Sequence, residues 1–307
     1  MFGKSHSASP RMFEYNRGKA EEDVVALKHV KSMSWLAEHL DDSDLIIVDC
    51  RFVMGQPDAG RQAYEEAHMP GAIYMDLEQD LSGPVREHGG RHPLPDLGVF
   101  SLNMGKAGIS NTTMIVAYDD QGGAVASRLW WMLNFLGHKQ VYVLEAGFAA
   151  WKANGYPVDS GIVVKEPGHF SPRVNTAKMI SVHELQQRLD QNGLVLIDSR
   201  EHARYLGLQE PIDKKAGHIP GAINHFWKDS LNEAGAWKSA DEQMERFSDI
   251  DRDAELVVYC GSGVTACPNV LALQEAGFEK VRLYLGSWSD WISYEGNPVA
   301  VGEDSGI

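Results

Sequence analysis

The sequence predicts an α/β fold built twice: two domains, each a mainly parallel sheet with helices on both faces. Short apolar runs bounded by turn residues alternate with amphipathic stretches along the whole chain. The runs are nearly continuous in Val, Ile and Leu, as parallel strands buried on both faces must be. The pattern then recurs after roughly 140 to 150 residues, the size of a domain and far longer than a solenoid repeat.

Taken in order, residues 1–23 are rich in Ser, Gly and charge and lack the apolar centre of a signal peptide. They read as a loosely attached tail. Residues 24–156 form the first expected domain, with strands LIIVD (Leu45–Asp49), MIVAY (Met114–Tyr118) and QVYVL (Gln140–Leu144). Residues 157–176 carry Pro157, Pro167 and Pro172 and read as a linker. Residues 177–301 form the second domain, with strands LVLID (Leu194–Asp198), LVVYC (Leu256–Cys260) and VRLYL (Val281–Leu285). Ser181 and Glu184 resemble a capping box before a helix that places Val182, Leu185 and Leu189 on one face.

The two halves match in detail. LIIVDCR (Leu45–Arg51) returns as LVLIDSR (Leu194–Arg200), and the His68-Met-Pro-Gly71 turn returns as His218-Ile-Pro-Gly221. Phe148 and Trp151 return as Trp288 and Trp291, which favours core packing for all four, with Trp288 a possible pocket lining. Asp49 with Arg51 and Asp198 with Arg200 occur in both halves, so they read as scaffold pairs. The position of Cys260 is held in the first half by Asp119. A core position rarely accepts both Cys and Asp, so a solvent-facing loop is expected there, reactive in one half only.

Charge and cysteine content narrow the function. With 28 basic and 43 acidic residues, the formal net charge is -15, and no basic stripe is visible. That argues against a nucleic-acid partner and requires a local positive site for any anionic substrate. Cys50, Cys260 and Cys267 form no disulfide framework, so reduced thiols and a cytoplasmic location are expected. No apolar run approaches the roughly 20 residues that span a bilayer, so no membrane association is expected. No dinucleotide or phosphate-loop fingerprint appears, so no cofactor is expected. His88 and His92 have loose metal-like spacing, but a Gly-rich loop is a poor fixed ligand set, and no metal site is expected.

The strongest local signal is Cys260-Gly-Ser-Gly-Val-Thr265 after an apolar strand and before a helix that tolerates Pro268 in its first turn and ends near Gly277. In open α/β sheets, sites lie beyond the carboxyl ends of strands. Glycines let successive backbone N–H groups turn inward, and the helix N-terminus adds positive potential. Gly261, Gly263, Val264 and Thr265 thus read as an anion cradle around a reactive thiolate. The competing reading of Cys260 is a small buried hydrophobe. Cys267, one helical turn on, reads as buried.

Together, Asp198-Ser-Arg200, Gly217-His-Ile-Pro-Gly-Ala222, Cys260-Gly-Ser-Gly-Val-Thr-Ala266 and Gly286-Ser-Trp-Ser-Asp-Trp291 resemble the tandem-domain rhodanese family of thiosulfate and 3-mercaptopyruvate sulfurtransferases. The resemblance runs from about Asp23 to Val301. It implies two rhodanese-like domains and a ping-pong reaction: the Cys260 thiolate takes a sulfane sulfur from a small anionic donor. A thiol or cyanide acceptor, or a thioredoxin-like one, then removes it. The loop looks like the mercaptopyruvate branch, in which a serine works with a histidine and an aspartate of the first domain. Ser262, His68 and Asp58 are the expected counterparts. Arg204 matches the family's donor-gripping arginine, whose planar guanidinium suits an oxyanion. The branch's second arginine is replaced by Ile212, with Lys214 and Lys215 as stand-ins. Two other functions remain. A Cys-dependent phosphatase would want an arginine where Ala266 stands, and a sulfur carrier or redox sensor would pass sulfur only to a protein partner.

Overall fold

The computed structural model describes residues 26–189 and 193–303, so the expected tail 1–23 lies outside them. Each half forms a parallel sheet. The first has β1 (Val30–Lys31), β2 (Leu45–Asp49), β3 (Ile73–Tyr74), β4 (Met114–Tyr118) and β5 (Val141–Leu144), in the order β1-β5-β4-β2-β3. The second has β6 (Leu194–Asp198), β7 (Ala222–Asn224), β8 (Glu255–Tyr259) and β9 (Val281–Leu283), in the order β7-β6-β8-β9. The central pairs repeat the same register. Leu45 to Asp49 lie opposite Met114 to Tyr118, and Leu194 to Asp198 lie opposite Glu255 to Tyr259.

The sequence reading does not anticipate β1, β3 and β7. Strands of two or three residues carry no periodicity, and β3 follows the Pro-Gly-Ala turn of its half while β7 starts on the alanine of the other. The expected strand LVVYC of the second domain stops at Tyr259, which leaves Cys260 as the first residue of the loop.

Alternation along each strand decides what faces what. Ile46 and Val48 enter a central core with Ile115 and Ala117, whereas Leu45 and Ile47 face an outer core with Val116 and Tyr118. In the second sheet Leu256 and Val258 enter the same central core, and Val257 and Tyr259 face a second outer one. The helices Ala124–Phe135 and Ala266–Glu275 fill the central core and pack on each other across the domain boundary. The outer cores are covered by helices that include Phe148–Ala153 and Ser287–Trp291. Burying aliphatic and aromatic side chains of this size contributes about 1.5–3 kcal/mol each. The same alternation puts Cys260, two residues past Val258, on the central face between the domains.

The matched motifs are scaffold in both halves. Arg51 pairs with Asp49 at 2.6 Å and donates to the carbonyls of Ala63 and Ala67, and Arg200 pairs with Asp198 at 2.6 Å and donates to Gly217. Trp151 and Trp291 are fully buried and donate to the carbonyls of Pro157 and Pro298. Trp288 is equally buried, a core residue under the Arg200 guanidinium rather than a pocket lining. Ser181 caps its helix by accepting from the Glu184 N–H, but the Glu184 carboxylate turns to Arg282, so the box stays half-closed. The complete capping box is Ser239 with Glu242. Among the described residues, the stretch between Ala153 and Thr176 carries no helix or strand and is tied to the first half by the Asp159 bridge to His68.

Candidate active site

Cys260 is 1% exposed and receives the N–H of Gly263 at 3.2 Å from Sγ. Gly263 has φ +77°, and a Cβ there would strike the Leu285 carbonyl oxygen, so no other residue closes this turn without strain. The loop is sewn down on its far side. The carbonyls of Cys260 and Gly261 accept from the Trp288 and Ser289 N–H groups at 2.9 Å each, and the Cys260 N–H donates to Ser287 Oγ at 3.1 Å. Arg128, fully buried on the helix Ala124–Phe135, donates to the Gly263 carbonyl at 3.0 Å and to those of His92 and Leu81. One domain therefore holds, by its carbonyl, the residue whose N–H meets the sulfur of the other. Val264 is buried, and Thr265 precedes the helix Ala266–Glu275 without a side-chain cap. The positive end of that helix lies beside the thiol.

The first half shows what this backbone accommodates. Asp119 is 1% exposed, and its carboxylate accepts from the N–H groups of Gln121, Gly123, Val125 and Ala126 at 2.7–2.9 Å. The solvent-facing loop expected at this position is therefore not found: Asp119 and Cys260 are both buried. Cys and Asp can alternate there because the loop supplies converging N–H donors, which suit an anion.

The histidine that meets Ser262 is His92, not His68. Ser262 Oγ lies 2.8 Å from His92 Nδ1. His68 is fully buried, its Nδ1 paired with the Tyr64 carbonyl at 2.7 Å and its ring stacked on Tyr64. His218 repeats this with the Tyr205 carbonyl and ring in the other half. The His-x-Pro-Gly histidine is thus a buried turn residue in both domains. Asp58 is exposed at the start of the helix Ala59–Glu66. Burial, with the cationic charges of Arg128 and Arg91 added to it, pushes the His92 pKa down to about 4. His88 goes elsewhere, to Ser293 Oγ and against the Tyr294 ring. No cluster of three or more metal-ligating side chains occurs among the described residues.

Arg204 stands at the mouth of the loop, and so does Arg91 of the first domain. A Cβ built on Gly261 would lie 2.9 Å from Arg91 Nη2 and 3.7 Å from both terminal nitrogens of Arg204. Arg204 holds Glu210 at 2.6 Å and Asp213 at 3.1 Å, and Arg91 holds the other oxygen of Asp213. Lys214, Lys215 and Ile212 are exposed. Sequence reasoning missed Arg91 as a site residue and weighed His92 only as a metal ligand. Nothing local marks either one, because their place beside Cys260 is made by the docking of two domains.

The model of the Rhodanese-like domain matches this chain twice, over residues 32–154 and 181–294. The chain is 45% identical over 273 residues to a probable 3-mercaptopyruvate sulfurtransferase of Pseudomonas aeruginosa, covering 87% of this chain and 96% of that protein. It is 35% identical over 281 residues to the thiosulfate sulfurtransferase of Mus musculus, covering 87% and 93%. The crystal structure of the Escherichia coli 3-mercaptopyruvate sulfotransferase SseA superposes with a TM-score of 0.76 at 32% identity, covering 86% of this chain and 100% of that one. The duplicated sheet, the Cys260 loop and these similarities place the chain in the tandem-domain rhodanese family of sulfurtransferases.

Proposed function

We propose that this chain moves a sulfane sulfur from 3-mercaptopyruvate or thiosulfate to a thiol or cyanide acceptor through a persulfide on Cys260. The Cys260 thiolate attacks the terminal sulfur of the donor. The new S–S bond forms as the donor's bond to that sulfur breaks, and the bonding pair leaves on sulfite or on the enolate of pyruvate. An acceptor thiolate or cyanide then attacks the outer persulfide sulfur and returns the Cys260 thiolate. The observation that carries this reading is the Gly263 N–H directed at Sγ at the positive end of a helix.

The Ser262–His92 pair favours 3-mercaptopyruvate. An enolate leaving group must gain a proton, and a hydroxyl backed by a neutral imidazole can deliver one, whereas sulfite needs none. Arg204 grips the anionic end of the donor. The phosphatase alternative is set aside because Ala266 stands where its arginine is needed. Cys50, Cys260 and Cys267 are free and buried, which fits work in a reducing compartment such as the cytoplasm. No helix among the described residues is long and apolar enough to cross a membrane.

Steady-state transfer by the wild type and Cys260→Ser, with both donors in parallel, tests the reading. We expect turnover by the wild type alone, faster with 3-mercaptopyruvate. A folded, reduced wild type that turned over neither donor would leave the chain a sulfur carrier serving a protein partner.

A further inference from the structure

We propose that Arg91 of the first domain is a donor-binding residue, and that Asp213 is an internal carboxylate that occupies its site until the donor displaces it. This rests on the sulfurtransferase reading. It starts from the segment after Arg204: Ile212 cannot bind an anion and Lys214 and Lys215 are exposed, so Arg204 is the cation of that segment placed beside Gly261 among the described residues. Arg91 supplies the second guanidinium across the domain boundary. Its loop is held there by the Gly89 N–H donating to Asp290 at 2.6 Å and the Arg91 N–H donating to Ser289 Oγ at 3.2 Å, both on the helix Ser287–Trp291.

Arg91 and Arg204 converge on one carboxylate. Arg91 Nη1 meets one oxygen of Asp213 and Arg204 Nη2 the other, and the Asp213 side chain is only 4% exposed. This bridged arrangement, beside Gly261 and one residue from the nucleophile, is what the carboxylate of an α-keto acid would find. Charge decides what must move. Arg200 is held by Asp198, which leaves Arg91 and Arg204 balanced by Glu210 and Asp213. A donor anion added to that balance is repelled unless one carboxylate leaves. Glu210 is fixed by Arg200, Arg204 and the N–H groups of Ile212 and Asp213. Among the described residues, the side chains that hold the Asp213 carboxylate are these two arginines, and Asp213 lies on a stretch of bends between exposed neighbours. Asp213 is the group that yields.

Binding of 3-mercaptopyruvate to the Cys260→Ser protein, followed calorimetrically, isolates the donor site from turnover. Adding Arg91→Gln should weaken binding about ten- to a hundredfold, with partial recovery in Arg91→Lys. Adding Asp213→Asn should tighten it. Unchanged affinity in Arg91→Gln would overturn the proposal, as would Asp213→Asn weakening binding as much as Arg91→Gln does, since Asp213 would then merely position the arginines. Binding that follows the expected pattern without wild-type turnover would sink the sulfurtransferase reading and leave an anion site.

Discussion

At the scale of single residues, the structure separates the histidine that reaches the Cys260 loop from the one that the sequence put forward for it. His68 and His92 are the clearest pair. One is packed under Tyr64, and the other reaches Ser262. His92→Ala should lower kcat with 3-mercaptopyruvate by about a hundredfold, the lower end of general acid–base contributions. Thiosulfate turnover should change little, because sulfite leaves without a proton. His68→Ala should leave turnover of both donors alone and lower stability by about 1–3 kcal/mol through its lost packing and hydrogen bond. Steady-state kinetics with both donors, alongside chemical denaturation of each variant, separates the two. A donor-independent loss in His92→Ala would assign His92 to the scaffold.

At the scale of elements, the strand–loop–helix unit after β4 and β8 is the device the duplication preserves. Its loop turns N–H groups inward, four of them onto the Asp119 carboxylate in one half and that of Gly263 onto the Cys260 sulfur in the other. Asp119→Ala should therefore leave several buried donors unpaired and cost about 2–4 kcal/mol, measured as a fall in the denaturant midpoint. Asp119→Asn should recover part of it, and no loss in either variant would mean the cradle is not built for an anion. These units were legible in the sequence because Val-Ile-Leu runs and paired glycines report strands and turns directly. Arg91 and His92 were not legible, since contact across a domain boundary leaves no local pattern. Burial at Asp119 was misread for a related reason: residue type reports the cost of burying a carboxylate, but not the four N–H groups that offset it.

At the scale of the whole molecule, the two domains share one core and one site, so conditions that loosen their contact should disturb both. The Glu275 carboxylate, on the second-domain helix, accepts from the N–H groups of Lys28 and His29 at 2.8 and 2.6 Å. Burial holds His29 and His92 near pKa 4, down from 6.5. The unfolded chain takes up these protons near pH 6.5 and the folded one only near 4. Stability is thus complete above about pH 6.5 and falls as the pH drops toward 4, by at most about 1.4 kcal/mol per pH unit for each histidine. Denaturation midpoints across that window should decline, and His29→Gln should flatten the slope. A flat wild-type profile would show that neither histidine is held neutral. The central claim, that Cys260 carries the transferred sulfur, is tested most directly by mass spectrometry of the protein treated with 3-mercaptopyruvate and no acceptor. The account predicts one added sulfur on the peptide containing Cys260, lost on adding a thiol and absent in Cys260→Ser. Sulfur retained in Cys260→Ser, or found on Cys50 or Cys267 instead, would contradict it.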